Sequence, residues 1–195
     1  MTSNSETSIK VRQWSVSDYR RMLDAGILVE DDQVELLNGQ ITLMSPQRPP
    51  HTTATKRAYD YLKPLLVGKA DVRSQSPITL NSHSEPEPDI AVVAIDQLEY
   101  SDRHPSPTEI FLLIEVADST LTRDLGEKVS AYAQANIQDY WVVNVRERIV
   151  HIFRHPLGDT YQQEQILEEN DECSLLVFPD INVLISRLLP PTFAR

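Results

Sequence analysis

The sequence predicts an α/β (α+β) protein: a mixed β-sheet flanked by helices, with an αβββαβ core behind an N-terminal helix and a β-hairpin. Three observations predict it. IAVVA at 90–94 and IFLLI at 110–114 are continuous apolar runs, and strands that are apolar on both faces are central ones. A helical pattern near 53–67 precedes three strand candidates in a row with short links, the pattern of an antiparallel meander. The helical stretch between residues 116 and 140 is long enough to cross over to a further strand.

Each element has its own reason. Residues 1–13 read as a flexible tail, leaving 14–195 as a single domain. Ser15-x-x-Asp18 is a capping box for a helix at 16–25, and Gly26 ends it. VELLN at 34–38 and QITLM at 40–44 flank Asn38-Gly39, a strong hairpin signal. From Thr53 to Val67, Ala54, Ala58, Tyr61, Leu62, Leu65 and Leu66 recur at helical spacing, and Pro64 should kink that helix or end it early. A weak alternation at 72–80 reads as a strand. Residues 124–135 read as one helix with Asp124 as its cap and Leu125, Val129 and Tyr132 inward. YWVVNV at 140–145 and IVHIF at 149–153 follow as strands around an Arg146-Glu147-Arg148 turn. The remainder holds a Gln/Glu-rich strand, the apolar LLVF and a short terminal helix.

Composition excludes several classes. The chain has 195 residues, 41% of them hydrophobic and 24% charged, which is ordinary for a globular domain and excludes full disorder. One cysteine, Cys173, excludes an internal disulfide and a cysteine-rich zinc site, and its acidic surroundings do not favour a thiolate. No apolar stretch is long enough to span a membrane, and Met1–Lys10 lacks the apolar core of a secretory leader, so a cytoplasmic location is expected. There is no G-x-S-x-G elbow, no phosphate-binding glycine loop, and no metal-ligand spacing among His83, His104, His151 and His155. The net charge of −11 opposes nucleic-acid binding in general. Residues 48–73 run against that balance, with six basic residues and two acidic ones. That segment reads either as a solvated helix face or as a surface for a polyanion.

Two carboxylates stand out. Asp89 immediately precedes IAVVA, and Glu115 immediately follows IFLLI. If those strands are antiparallel neighbours, the two acids meet at one end of the sheet, where they share a proton or hold a hard cation such as Mg²⁺ or Mn²⁺. Taken singly, Asp89 reads as a loop residue after proline and Glu115 as a strand-end acid paired with an arginine. Lys128 lies on the inward side of its helix, either aimed at the same sheet end or snorkelling on the flank. Glu35 sits in an apolar run and reads as a further site acid or an exposed hairpin residue. His51 reads as a helix-capping loop residue or as a contact to a phosphate or a metal-bound water.

Pro88-Asp89 and Ile114-Glu115-Val116, in this strand and helix order, resemble the PD-(D/E)XK nuclease superfamily. VELLNGQITLMSP at 34–46, His51, EPEPDIAVV, LLIEVADST and the stretch from Lys128 to Tyr140-Trp141-Val142-Val143 are similar to its bacterial "putative restriction endonuclease" domain family. The resemblance covers residues 14 to about 155. It implies a restriction-endonuclease-like fold and a metal-dependent endonuclease acting on DNA. It further implies that Asp89, Glu115 and Val116 hold Mg²⁺ or Mn²⁺, that Glu35 supports them, and that Lys128 serves catalysis. The superfamily's E-x-K motif would put lysine at 117, where this chain has Ala117, and the helix-borne Lys128 stands in for it. His51, Lys56 and Arg57 are the expected phosphate contacts. Duplex cleavage needs two cuts, so a homodimer is expected, built on strands 140–145 or 149–153. The competing classes are a degenerate nuclease-fold module that binds DNA or protein, and a paired-carboxylate glycosidase, which the 7% aromatic content disfavours.

Overall fold

The computed structural model describes residues 11–192. Most of the tail expected at 1–13 therefore lies outside the described residues. Helix α1, Val16–Asp24, starts at Ser15, whose hydroxyl accepts from the Asp18 amide while the Asp18 carboxylate accepts from the Ser15 amide. Strands β1 (Val34–Leu37) and β2 (Gln40–Leu43) form a separate hairpin. Asn38 and Gly39 both have positive φ, 49° and 75°, the backbone that this two-residue turn demands.

Helix α2 spans Pro49–Leu65 and begins earlier than its apolar pattern, because Pro49 and Pro50 fit the first turn, where no amide hydrogen is needed. It ends one residue after Pro64, ahead of the expected Val67. Strand β3 is Asp71–Ser74, shorter than the 72–80 reading. Beyond Ser74 the chain keeps only scattered backbone bonds, such as Ile78 N to Pro86 O at 3.0 Å, because the proline-punctuated 85–89 segment opposite cannot offer a regular ladder. Strands β4 (Ile90–Val93) and β5 (Ile110–Ala117) are antiparallel, with Ile90 opposite Ile114. Strand β5 runs three residues past IFLLI, so Glu115 lies within the strand rather than after it.

The helix expected at 124–135 is two helices, α3 (Leu121–Asp124) and α4 (Glu127–Gln134), broken at Leu125-Gly126. Asp124 ends the first helix and does not cap the second. Strand β6 (Asp139–Asn144) returns parallel to β5, followed by antiparallel β7 (Ile149–Leu157) and β8 (Thr160–Glu168). The sheet order is β3-β4-β5-β6-β7-β8. Strands 140–145 and 149–153 are thus internal, and neither offers a free edge for the expected dimer; the sheet's edges are β3 and β8. A short hairpin of β9 (Glu172–Ser174) and β10 (Asn182–Leu184) closes the chain before a terminal 3₁₀ turn, and LLVF forms no strand.

Two cores sandwich the sheet. Ala54, Ala58 and Leu62 of α2 pack on Val92, Leu112, Ile114 and Trp141. Tyr132 and Ile137 pack the other face with Ala91, Leu113, Tyr140 and Val142. Side chains alternate along β5, so Leu113 and Ala117 face the α4 side, and Glu115 between them must do the same. Among the described residues no helix is long and apolar enough to cross a membrane.

Candidate active site

The antiparallel register that pairs Ile90 with Ile114 brings Asp89, one residue earlier, beside Glu115, one residue later. Asp89 Oδ2 accepts the Val116 amide at 2.8 Å, and His51 Nε2 lies 3.1 Å from the same oxygen. Gln75 Nε2 is 3.4 Å from Oδ1. Amide and carbonyl of one strand residue point to the same edge, so the Val116 carbonyl opens toward Asp89 as well.

Glu115 is held from α4. Its Oε1 accepts the Lys128 ammonium at 2.8 Å and the Tyr132 hydroxyl at 2.7 Å, from residues one helical turn apart. Lys128 is buried, which excludes a snorkelling role, and its Nζ is 3.8 Å from Glu35 Oε1. Glu35 is buried too, not an exposed hairpin residue. It accepts from Arg123 at 2.7 Å and from the Glu87 amide at 3.0 Å. Asp124 completes the interior of the site and accepts from the Thr120 hydroxyl.

Asp89, Glu115, Val116, Glu35, Lys128 and His51 therefore line one cavity of about 180 Å³. His51 sits in the first turn of α2 and not in a loop. Lys56 and Arg57 do not line the cavity. Lys56 pairs with Asp60 on the surface, and Arg57 donates to the carbonyls of Leu189 (2.7 Å) and Ser186 (3.2 Å), tying α2 to the C-terminal segment. Arg57 is thus occupied structurally and is not a free phosphate contact. Sequence reasoning passed over Arg123 and Gln75 and read Tyr132 as core and Asp124 as a cap. A signal existed for one of them: Tyr132 lies four residues after Lys128, on the same stripe of α4.

The cavity wall carries six carboxylates and three Lys/Arg side chains, and burial together with this imbalance shifts the titration of several of them. Burial pushes the Glu115 carboxyl up to about 8; Lys128 partly offsets this, while Asp89, Asp124 and Glu35 add repulsion. Burial likewise raises Asp124. For Lys128 burial opposes the charge, but the surrounding Glu115, Glu35 and Asp124 outweigh it and hold the ammonium protonated. For His51 burial also opposes the charge, and the Asp89 hydrogen bond and charge prevail.

The residues present fit the divalent cation that the resemblance implies. Asp89, Glu115 and the backbone of Val116 line the cavity together and offer hard oxygen donors on a wall with more acidic than basic side chains. Among the described residues no group of three or more His, Cys, Asp or Glu is placed to hold a metal ion.

A mixed sheet in αβββαβ order, with an acidic pair at one strand end and a lysine delivered by the following helix, defines a restriction-endonuclease-like fold. The chain belongs to the Uma2 family, described as "putative restriction endonuclease", whose model matches residues 16–187. Among solved structures it is similar to a protein of Anabaena variabilis ATCC 29413 described as a "putative nuclease belonging to DUF820". The TM-score is 0.69 at 14% identity, over 89% of this chain and 96% of that one. That likeness is one of fold. No curated protein matches the chain.

Proposed function

We propose that the protein is a divalent-metal-dependent endonuclease that hydrolyses phosphodiester bonds of DNA, with Asp89, Glu115 and the Val116 carbonyl holding Mg²⁺ or Mn²⁺. When bound, the cation would polarise the scissile phosphate and lower the pKa of a coordinated water. The protein's own groups do the rest. His51 and the Val116 amide fix Asp89. Tyr132 and Lys128 fix Glu115, and Glu35, itself held by Arg123, faces the Lys128 ammonium. Lys128 then presents a fixed positive charge where negative charge develops on the phosphate.

The observation that carries this reading is the burial of Lys128 at 2.8 Å from Glu115. Burying an ammonium costs several kcal/mol, and an apolar side chain would fill the space at less cost. Family membership and a nuclease-like fold support the same reading. The alternative, a catalytically degenerate module that binds DNA or protein, draws on Ala117 standing where the superfamily has its lysine. Two cuts in a duplex require two sites, and a homodimer would have to use β3, β8 or a helical face.

Plasmid nicking in Mg²⁺ or Mn²⁺, beside isothermal titration with Mn²⁺, separates the readings. Asp89→Asn should lose metal binding and cleavage together. Lys128→Gln should keep Mn²⁺ binding and cut roughly two to three orders of magnitude more slowly. Wild-type protein that binds Mn²⁺ and nicks nothing would favour the degenerate module.

A further inference from the structure

Outside the catalytic cluster, two arginines from distant parts of the chain share one buried carboxylate at the cavity's edge. Asp118 lies just past β5 and lines the cavity, as does Arg48, the residue preceding α2. Arg48 Nε is 3.3 Å from Asp118 Oδ2, and Arg146 Nε, in the β6–β7 turn, is 2.9 Å from Oδ1. Both arginine side chains are 58% exposed, whereas that of Asp118 is 7% exposed. Arg146 donates a hydrogen bond from Nε, whereas Arg48 Nε makes an ion pair only and leaves Asp118 Oδ2 without a hydrogen bond; among the described residues none of their four terminal nitrogens makes a hydrogen bond. The turn beneath Arg146 is itself fixed: the buried Asn144 side chain accepts the amides of Arg146 and Glu147, each at 3.2 Å, and donates to the Glu147 carboxylate.

We infer that Arg48 and Arg146, pinned by Asp118, form a clamp for the phosphate backbone of the nucleic acid whose scissile bond enters the cavity. The inference rests on the endonuclease reading and adds the groups that grip the substrate. The charge arithmetic requires such groups, because the chain is −11 and the cavity wall is acidic. Two cations on one anion leave the Arg48–Asp118–Arg146 group itself with one positive charge. Unspent guanidinium nitrogens match phosphate oxygens in geometry and charge. Most other basic residues of the 48–73 segment are already engaged: Lys56 with Asp60, Arg57 with the C-terminal carbonyls, Lys63 with Tyr59 and Arg73 over the Tyr100 ring. Asp118 is a positioning residue that spends one charge to aim two.

The test is fluorescence anisotropy of a short labelled DNA duplex against KCl concentration, with Ca²⁺ in place of Mg²⁺ to hold cleavage back. The proteins are wild type, R48Q/R146Q, R48K/R146K and D118N. The double glutamine variant should bind more weakly and lose about 1.8 from the slope of log affinity on log salt, at ~0.9 per phosphate contact. The double lysine variant should recover most of that slope. D118N removes a negative charge from this group, so charge counting alone predicts tighter binding, whereas loss of the pin predicts weaker binding. An unchanged slope in R48Q/R146Q, or tighter binding by D118N, overturns the clamp. Titration with Mn²⁺ keeps the two claims apart: the double variant should bind the metal as wild type does. Wild-type protein that neither binds nor nicks DNA would overturn the endonuclease reading and the clamp together.

Discussion

Lys128 shows how one side chain ties stability to chemistry. Its ammonium faces Glu115 and Glu35 in a buried setting, so removing it strands Glu115 without a counter-charge, while Glu35 keeps Arg123. Lys128→Ala should therefore lower stability by about 3–5 kcal/mol, read from urea denaturation. A loss below about 1 kcal/mol, the scale of an exposed pair, would mean that the ammonium is solvated. Tyr132→Phe removes only the hydroxyl donated to Glu115 and should cost about 1.5–3 kcal/mol, the scale of a hydrogen bond to a charged group. Cys173 is the opposite case: burial pushes its thiol up to about 12, only partly offset by Arg154, so it stays protonated at neutral pH. It should resist iodoacetamide at pH 8 in the folded protein and react once the protein is unfolded in urea. Rapid labelling of the folded state would contradict that.

At the scale of elements, the break between α3 and α4 does the most for the site. It lets Arg123 reach Glu35 from one helix while Lys128 and Tyr132 reach Glu115 from the next. Gly126 permits the break, because a Cβ there would stand 2.9 Å from the Thr122 carbonyl oxygen. Gly126→Ala should force the backbone to shift and cost about 1–3 kcal/mol, with a larger proportional loss of activity than of stability. An unaltered melting temperature and activity would show that the loop yields freely. This break was not legible in the sequence, since Leu125, Val129 and Tyr132 keep helical spacing across it. Periodicity records which face is buried, not whether the axis is continuous. The apolar runs at 90–94 and 110–114, by contrast, made their strands and the meeting of Asp89 with Glu115 readable in advance. Arg123 and the Arg48–Asp118–Arg146 group were not readable, because they depend on contacts between elements far apart in the chain. Arg57 misled for the same reason: its carbonyl partners lie some 130 residues away.

Across the whole molecule, charge is the organising quantity. Some carboxylates are stabilised in the folded state, and Glu109 is the clearest. Its hydrogen bonds from Arg103 pull it down to about 2 from an ordinary 4.5, against the opposing effect of burial and with help from Ser106. In that window the unfolded chain binds more protons than the folded one, so the stabilisation is present above about 4.5 and fades as pH falls toward 2. The stability gap between wild type and Glu109→Gln should narrow over that range in urea titrations, and a constant gap would reject the assignment. The same accounting leaves the cavity wall with more acidic than basic side chains, and the central claim is that a divalent cation belongs at Asp89 and Glu115. The most direct measurement is anomalous diffraction from crystals soaked in Mn²⁺. The account predicts a peak bridging the Asp89 and Glu115 carboxylates within reach of the Val116 carbonyl, absent from Asp89→Asn crystals. Manganese bound only elsewhere, with that position holding no metal, would contradict it.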